Sequence, residues 1–298
     1  MKPFISAIIV AYRSDKYINP CIASIITSAR FAQLPLEVIV VINDPKNISY
    51  RLPKIAKVIK SKKNIGYAAG VNAGAKRARG EWLLVANPDT VTDEKALLYM
   101  SQHFNDKNVA VVGPKIFLLD GSIQLTINKL PSLWQVFLEQ SYLYKIFPFS
   151  KLTPKADMRQ YAYTHEVEAL EGTYLLIQKK YFDLLGGMDE RFFLYYEDMD
   201  FCKKINGVNF RILFEPRAII IHKQHRSSQG YIVGKYYVRS LRLYIKKYSN
   251  FVYTFIFMTI FYCGSLLRLL GWSILRYILG KSSTNETKIT TYTSYLRK

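Results

Sequence analysis

The sequence predicts an α/β domain built on a mostly parallel sheet with helices on both faces, followed by amphipathic and hydrophobic C-terminal helices. Three observations predict it. The first half alternates apolar strand-like runs with helix-like ones over short connections. The 298 residues are 50% hydrophobic and 14% aromatic, enough to fill a large core. The basic excess is gathered beside a long apolar run at the C-terminal end.

Taken in order, Ile5 to Ala11 reads as a buried strand, Tyr17 to Arg30 as a helix, Glu37 to Ile42 and Ile55 to Ser61 as strands, and Ala68 to Arg79 as an Ala/Gly-rich helix. Trp82 to Ala86 is a strand that stops at Asn87-Pro88-Asp89, because proline cannot continue the ladder. Beyond Pro114 come short strand candidates at Ile116 to Leu119 and Ile123 to Ile127, then an aromatic stretch from Trp134 to Phe149 that covers or extends a site. Val167 to Ile177 reads as a strand, Phe192 to Ile205 as a helix, and Phe210 to Phe214 and Ala218 to Ile221 as two strands, the second ending at His222. In such a sheet the ligand crevice lies at the carboxyl ends of the strands, so the polar residues after each strand are the first candidates for chemistry.

Lys plus Arg number 42 against 22 Asp plus Glu, a net charge of +20, which calls for an anionic partner. Eleven bases against one acid, Glu286, lie between Lys235 and Lys298, so half of the excess is in the tail. Cys21, Cys202 and Cys263 are odd in number and widely spaced, which argues against a disulfide framework or a zinc site and suits a reducing compartment. The run from Ile5 to Tyr12 lacks the length and flanks of a secretory leader, so no signal peptide is expected.

Four constellations could carry chemistry. Asn64 to Gly74 is a glycine-rich turn entering a helix, which permits close backbone approach and aims free N–H groups at an anion, although it also reads as a tight turn under a packed helix. It lacks the Gly-Lys-Ser/Thr of a phosphate-binding P-loop. Asp89, directly after a strand, can hold Mg²⁺ or Mn²⁺, or act as the cap of an ordinary turn. Glu197, Asp198 and Asp200 interrupt an aromatic run; they can favour a helix N-terminus, or supply a carboxylate that accepts a proton from a hydroxyl nucleophile. His222 at a strand end can ligate a divalent ion, with His225, Arg226, Ser227 and Ser228 following it.

In this order, from about Ser6 to about Tyr248, these pieces resemble a family 2 glycosyltransferase of GT-A fold. They are most similar to the rhamnosyltransferase-like branch of bacterial cell-surface polysaccharide synthesis. The resemblance implies an inverting, metal-dependent transfer from a nucleotide-sugar donor, L-rhamnose from dTDP-rhamnose being the branch-level expectation and galactofuranose, galactose and glucose remaining open. It implies Asp198 as catalytic base, Asp89 and His222 as ligands of Mg²⁺ or Mn²⁺, and Ala11, Tyr12, Asn43, Asn64, Gly66, Gly70, Asn72 and Asn87 around the donor. Glu197, Asp200, Gly172 and Thr173 then shape the acceptor side. The family's second strand commonly ends Val-Asp-Asn, with the Asp on the base; here Val41-Ile42-Asn43-Asp44 puts Ile at that place, leaving either Asp44 after a one-residue shift or Asn43 with backbone groups.

Residues 1–234 are thus expected to be catalytic and 235–298 to associate with membrane. Between Lys235 and Tyr248 the bases at 235, 239, 242 and 246 form one helical stripe, and Tyr237, Leu241, Tyr244 and Tyr248 another, as suits a helix on an anionic lipid surface. Phe251 to Leu267 runs 17 residues without a charge before Arg268, and Arg276 interrupts the continuation. This pattern favours a monotopic arrangement, two in-plane helices or a helix pair hugging the bilayer, over a clean crossing, and a soluble core or dimer helix is the competing reading, because aromatic helices also pack onto domains. The expected setting is the cytoplasmic face of the bacterial inner membrane with a lipid-linked glycan as acceptor, no nucleic-acid partner, and an oligomeric state that is open, with a dimer possible. A sugar nucleotidyltransferase would need a Gly-rich, basic N-terminal loop, which Val10 to Ser14 does not provide. A nucleic-acid binder would spread its bases over the folded body.

Overall fold

The structure, a computed structural model, describes residues 4–44, 50–141, 157–223 and 230–297. The predicted aromatic stretch beyond residue 141, and His225, Arg226, Ser227 and Ser228, lie outside the described residues. The chain divides into two units, one formed by Met1–Leu130, Asp157–Phe193 and Glu197–Ser227, the other by Pro131–Ala156, Leu194–Tyr196 and Ser228–Lys298.

The first unit is organised by a ten-stranded sheet. Strands β1 (Ile5–Ala11), β2 (Leu36–Ile42), β3 (Ala56–Lys60) and β4 (Trp82–Ala86) are parallel in the order β3-β2-β1-β4. The order continues through β11 (Tyr174–Gln178), antiparallel to both neighbours, to β6 (Val109–Leu118), β12 (Arg211–His222) and the short β5 (Thr90–Thr92). Two short strands, β7 (Ile123–Gln124) and β9 (His165–Glu166), add to β6 and β12, while β8 (Ile127–Asn128) and β10 (Ala169–Leu170) form a separate pair. The apolar strands alternate between two cores, because successive side chains point to opposite faces. Ile8, Val10, Leu83 and Val85 face one core, and Ala7, Ile9, Leu84 and Ala86 the other, which α1 (Asp15–Phe31) covers with Ile18, Ile22 and Ile25. The first core is closed by α2 (Tyr67–Ala75), α5 (Lys179–Leu184) and α6 (Glu197–Gly207), and α3 (Ala96–Ser101) joins the second.

Four differences from expectation have physical causes. The two strands expected around Pro216 are one strand, β12, with a register shift between Glu215 and Ile219 that absorbs the proline. Strand β6 begins before Pro114 rather than after it; pairing with β11 involves only Val111 and Val112, so the missing N–H interrupts no ladder on that side. The run from Val167 to Ile177 is broken at Glu171-Gly172-Thr173 into β10 and β11. Helix α6 starts at Glu197 and not near Phe192, because Tyr195 and Tyr196 take φ of 69° and 67°, outside right-handed helix.

The second unit contains α4 (Leu133–Ser141), α7 (Gly230–Tyr248), α8 (Phe251–Leu279) and α9 (Ser283–Leu296). In place of two helices parted at Arg268, α8 is one 29-residue helix that is long and apolar enough to cross a membrane by length and composition. Its arginines are accommodated by α9: Arg276 Nε lies 2.8 Å from Glu286 Oε1, and the Arg268 guanidinium sits 5.7 Å from the Tyr292 ring centre. On α7 the bases Lys235, Arg239, Arg242 and Lys246 are exposed as the helical spacing predicts. Leu241 and Tyr244 of the other stripe are buried, and Tyr237 stacks on Tyr295 at 5.4 Å.

Candidate active site

Three of the parallel strands deliver a polar residue to the carboxyl rim of the sheet. Asn43 follows β2 with its N–H on Ala11 O at 2.8 Å, Asn87 follows β4, and His222 ends β12. The antiparallel strands begin where the parallel ones end. Tyr174 of β11 is registered with Ala86, which brings Gly172 and Thr173 to the same rim, and Thr90 of β5 is registered with His222, which brings Asp89 beside the imidazole.

The residues expected around a donor form a backbone clamp. Asn43 Nδ2 donates to Asn64 Oδ1 and Gly66 O, both at 3.0 Å, and Asn43 Oδ1 accepts from Ile65 N–H at 2.9 Å. Gly66 has φ of 88°, and a Cβ there would stand 2.6 Å from Phe193 O, so the turn into α2 admits only glycine. At Gly70 a Cβ would fall 2.8 Å from Val10 Cγ1, so this glycine seats α2 on β1. The Asn72 amide is engaged with the backbone of Met188 at 2.8 and 2.9 Å and with Glu190 Oε1 at 3.0 Å, tethering the segment that leads to α6. Ile42 is buried in the core, whereas Asn43 and Asp44 are buried at the strand end. Tyr12 carries the Arg13 guanidinium 5.2 Å from its ring centre, and Arg13 has φ of 50° in the turn after β1.

The acidic residues at the start of α6 meet the Gly172 turn. Asp198 Oδ2 accepts from Gly172 N–H at 2.7 Å and keeps part of its surface exposed. Desolvation raises the Asp198 carboxyl to about 6 against the opposing N–H bonds from Gly172 and Met199, a value suited to a base near neutral pH. Its neighbour Glu197 is raised well above the usual carboxylate range by burial and by the Asp198 charge, and Glu197 Oε2 has no hydrogen-bond partner among the described residues. Asp200 is fully buried one turn into the helix, with Lys204 Nζ 3.9 Å away. Sequence reasoning assigned no role to Tyr67, the first residue of α2. Its hydroxyl donates to Gly172 O at 3.2 Å, and desolvation, then the charges of Glu197, Asp198 and Asp89, keep the phenol protonated.

A second focus is the pair Asp89 and His222, with Nε2 3.2 Å from Asp89 Oδ1. Thr173 O accepts from Asn87 N–H at 2.9 Å, so the turn that holds Asp198 also fixes the peptide leading to Asp89. Among the described residues no group of three or more His, Cys, Asp and Glu side chains converges. An Asp–His pair nevertheless fits a hard divalent ion: neighbouring ligands of an octahedral Mg²⁺ stand about 3 Å apart, and such ions keep several positions for substrate phosphates and water. The adjacent Cys21 is a neutral thiol, pushed up to about 12 by burial, and supplies no nucleophile.

The rim therefore brings together Asp89, His222, Asp198, Glu197, Gly172, Thr173 and Asn87. Asn43, Asn64, Gly66 and Gly70 stand together along the turn into α2. Sequence reasoning missed Gln124 and Glu171, which join the two foci: Gln124 Oε1 lies 2.7 Å from His222 Nδ1, and its Nε2 donates to Glu171 Oε2 at 3.0 Å and to Thr173 Oγ1 at 3.2 Å. No local signal marks Gln124; Glu171 had only its position beside Gly172.

Comparison with known proteins bears on the family and the fold. The N-acetylglucosaminyl-diphospho-decaprenol L-rhamnosyltransferase of Mycobacterium tuberculosis is 26% identical over 199 residues, covering 62% of this chain, and this chain spans 64% of that relative's length. Among solved structures, GalNAc-T7 with UDP, GalNAc and Mn²⁺ superposes with a TM-score of 0.61 at 14% identity, covering 97% of this chain and 54% of the other. The mannosyltransferase PcManGT of Pyrobaculum calidifontis, in complex with GDP-Man and Mn²⁺, gives 0.56 at 12% identity, covering 99% and 86%. Both likenesses show the GT-A fold. The model of the family described as glycosyl transferase family 2 matches residues 6–162, more than half of the chain. The protein belongs to glycosyl transferase family 2.

Proposed function

We propose that the protein carries out an inverting transfer of a sugar, L-rhamnose from dTDP-rhamnose, to a hydroxyl of a lipid-linked glycan in the synthesis of a bacterial cell-surface polysaccharide. The observation that carries the reading is the rim itself, where one turn, Glu171 to Thr173, holds the carboxylate of Asp198 on one side and the peptide leading to Asp89 on the other. The sugar and acceptor follow the decaprenol-linked rhamnosyltransferase, the relative with which this chain shares 26% of 199 residues.

In this reading Asp198 accepts the proton of the acceptor hydroxyl as its oxygen bonds to the anomeric carbon from the face opposite the leaving group. The bond from that carbon to the diphosphate breaks, and the nucleoside diphosphate departs with its electron pair. Asp89 and His222 would hold Mg²⁺ or Mn²⁺, which when bound neutralises the diphosphate charge. Gly172 N–H orients Asp198, while buried Glu197 and Asp200 shape the wall behind it. Ala11, Tyr12, Asn43, Asn64, Gly66, Gly70, Asn72 and Asn87 form or brace the donor side, with Asn43 or Asp44 in place of the family's base-reading Asp.

The second unit docks the enzyme on a membrane, at the cytoplasmic face of the inner membrane, as a monotopic element. Supporting this, α8 exposes Phe251, Val252, Phe255, Leu266, Leu267, Leu270 and Ile274 along one side, and α7 exposes four bases.

The test is nucleoside diphosphate release from a panel of nucleotide sugars with Mg²⁺ or Mn²⁺ and a polyprenyl-diphosphate-linked acceptor. Release from dTDP-rhamnose is expected, with Asp198→Asn lowering turnover about 10²–10⁴-fold while donor binding is retained. Full turnover by that variant overturns the mechanism, and release from a different sugar nucleotide overturns the donor.

A further inference from the structure

We infer that Gln124 is a positioning residue that fixes His222 in the tautomer able to ligate a cation through Nε2, and that Glu171 and Thr173 hold Gln124 to that task. The inference rests on the metal reading of Asp89 and His222 given above.

Donors and acceptors alternate along one hydrogen-bonded chain. Strand β7 is only Ile123 and Gln124, paired to β6 with Gln124 opposite Ile116, and β6 in turn lies beside β12 with Leu118 opposite His222. This register sets the Gln124 amide between the imidazole and the Glu171 turn. One end of the amide meets Glu171 Oε2 at 3.0 Å and Thr173 Oγ1 at 3.2 Å. A carboxylate only accepts, so that end is the NH₂ group. The other end is then the carbonyl, and it faces His222 Nδ1 at 2.7 Å. A carbonyl also only accepts, so Nδ1 carries the hydrogen. In the neutral ring Nε2 is left as a bare lone pair, aimed at Asp89 Oδ1 from 3.2 Å. Two acceptors at that distance repel unless a cation or a proton serves both, and a divalent ion is the partner for which one nitrogen and one carboxylate oxygen are a matched pair.

The same turn has a second function. Gly172 N–H holds Asp198 Oδ2, and Thr173 O holds Asn87 N–H, two residues before Asp89. Proton acceptor and cation pair are thereby registered through three consecutive residues, so an error at Gln124 reaches the cation side first and leaves Asp198 in place.

The experiment uses the full chain labelled with [¹⁵N]histidine, which has four histidines to assign, and Mn²⁺ alone, titrated by loss of the free-ion EPR signal. In the wild type His222 is expected as the Nδ1–H tautomer. In Gln124→Leu it is expected to turn to Nε2–H, with Mn²⁺ affinity lowered about 10- to 100-fold. Gln124→Glu keeps an acceptor for Nδ1; because its second oxygen would stand against Glu171 Oε2, 3.0 Å from the amide nitrogen it replaces, it is made together with Glu171→Gln, whose NH₂ can donate to it. This pair is expected to keep the tautomer, which preserves the test if the leucine variant does not fold. An unchanged His222 tautomer in Gln124→Leu, or an Nε2–H tautomer in the paired Gln124→Glu and Glu171→Gln variant, overturns the proposal. Asp89→Ala separates the two readings: if it binds Mn²⁺ as the wild type does, the metal reading fails, and the tautomer alone then decides the role of Gln124.

Discussion

Gly172 and Asp198 touch through backbone and side chain at once: the Gly172 N–H donates to Asp198 Oδ2 at 2.7 Å, and a Cβ on Gly172 would stand 3.2 Å from Asp198 Cβ and 3.4 Å from Oδ2. The proposed base is held by a residue on which a Cβ would crowd it. Gly172→Ala should therefore tilt the carboxylate by a few tenths of an ångström, lowering kcat roughly tenfold, since a 1 Å misplacement costs about 10². Thermal unfolding should move little. Wild-type kcat in this variant would show that the 2.7 Å bond does not set the base.

The activity should follow the ionisation of the Glu197–Asp198 pair. Desolvation lifts Asp198 to about 6 from its ordinary 3.8, and only the ionised form accepts a proton. The rate kcat/KM is expected to fall about tenfold per pH unit below that value and to level off above it. Stability carries the opposite sign: a carboxyl whose folded-state pKa is raised favours the fold below its unfolded value and loses that contribution as pH climbs through the folded one. Asp198→Asn should thus be at least as stable as wild type at pH 7, with the difference closing below about pH 4. A pH–rate profile without an acid limb near 6 would contradict this.

Glu215 gives the reverse dependence. It is fully buried, and although burial raises its pKa, hydrogen bonds from Arg217 and His103 bring it down to about 2 from 4.5. Its contribution is present above the unfolded value and is lost as pH falls through about 2. Glu215→Gln should cost roughly 1–3 kcal/mol at pH 7 in urea unfolding, since Arg217 loses its ionised partner. The deficit should shrink between pH 4 and 2; a deficit constant with pH would assign it to packing.

The exposed side of α8 should govern retention on vesicles. Phe255 and Leu267 are 64% and 68% exposed. Replacing both by Asp removes about 2 kcal/mol of burial apiece, so flotation with anionic liposomes should fall by at least tenfold. Neutralising Lys235 and Arg239 should weaken binding by about 1 kcal/mol each, in a manner lost at high salt. Undiminished flotation of the double Asp variant would remove α8 from the membrane surface.

Strand ends were the most legible part of the sequence. An apolar run closed by Asn43, by Asn87-Pro88 or by His222 announces both the strand and the rim it reaches, because period and polar stop are local properties. The partnership of Gly172 with Asp198 could not be read this way: 26 residues separate them, and it depends on β11 running against its neighbours. Gln124 was invisible for a related reason, since its role comes from a two-residue strand whose register brings it to His222. The start of α6 was misplaced because nothing in Tyr195-Tyr196 advertises two left-handed residues in succession, a conformation costing roughly 1–2 kcal/mol at each. Arg268 and Arg276 looked like interruptions of an apolar helix because their partners Tyr292 and Glu286 lie beyond the next turn of the chain.

That last pairing alters the geometry of whatever surface α8 meets. With Arg276 paired to Glu286 and Arg268 set over Tyr292, the apolar side runs the full 29 residues, about 43 Å, rather than the 17 before Arg268, about 25 Å. A hydrocarbon core is about 30 Å thick, so this rod is longer than a crossing requires, and part of its circumference is already packed within its own unit. For the monotopic arrangement proposed above, it offers a long, shallow keel: contact accumulates along the surface instead of through it, and resistance to rocking grows with the length of the line.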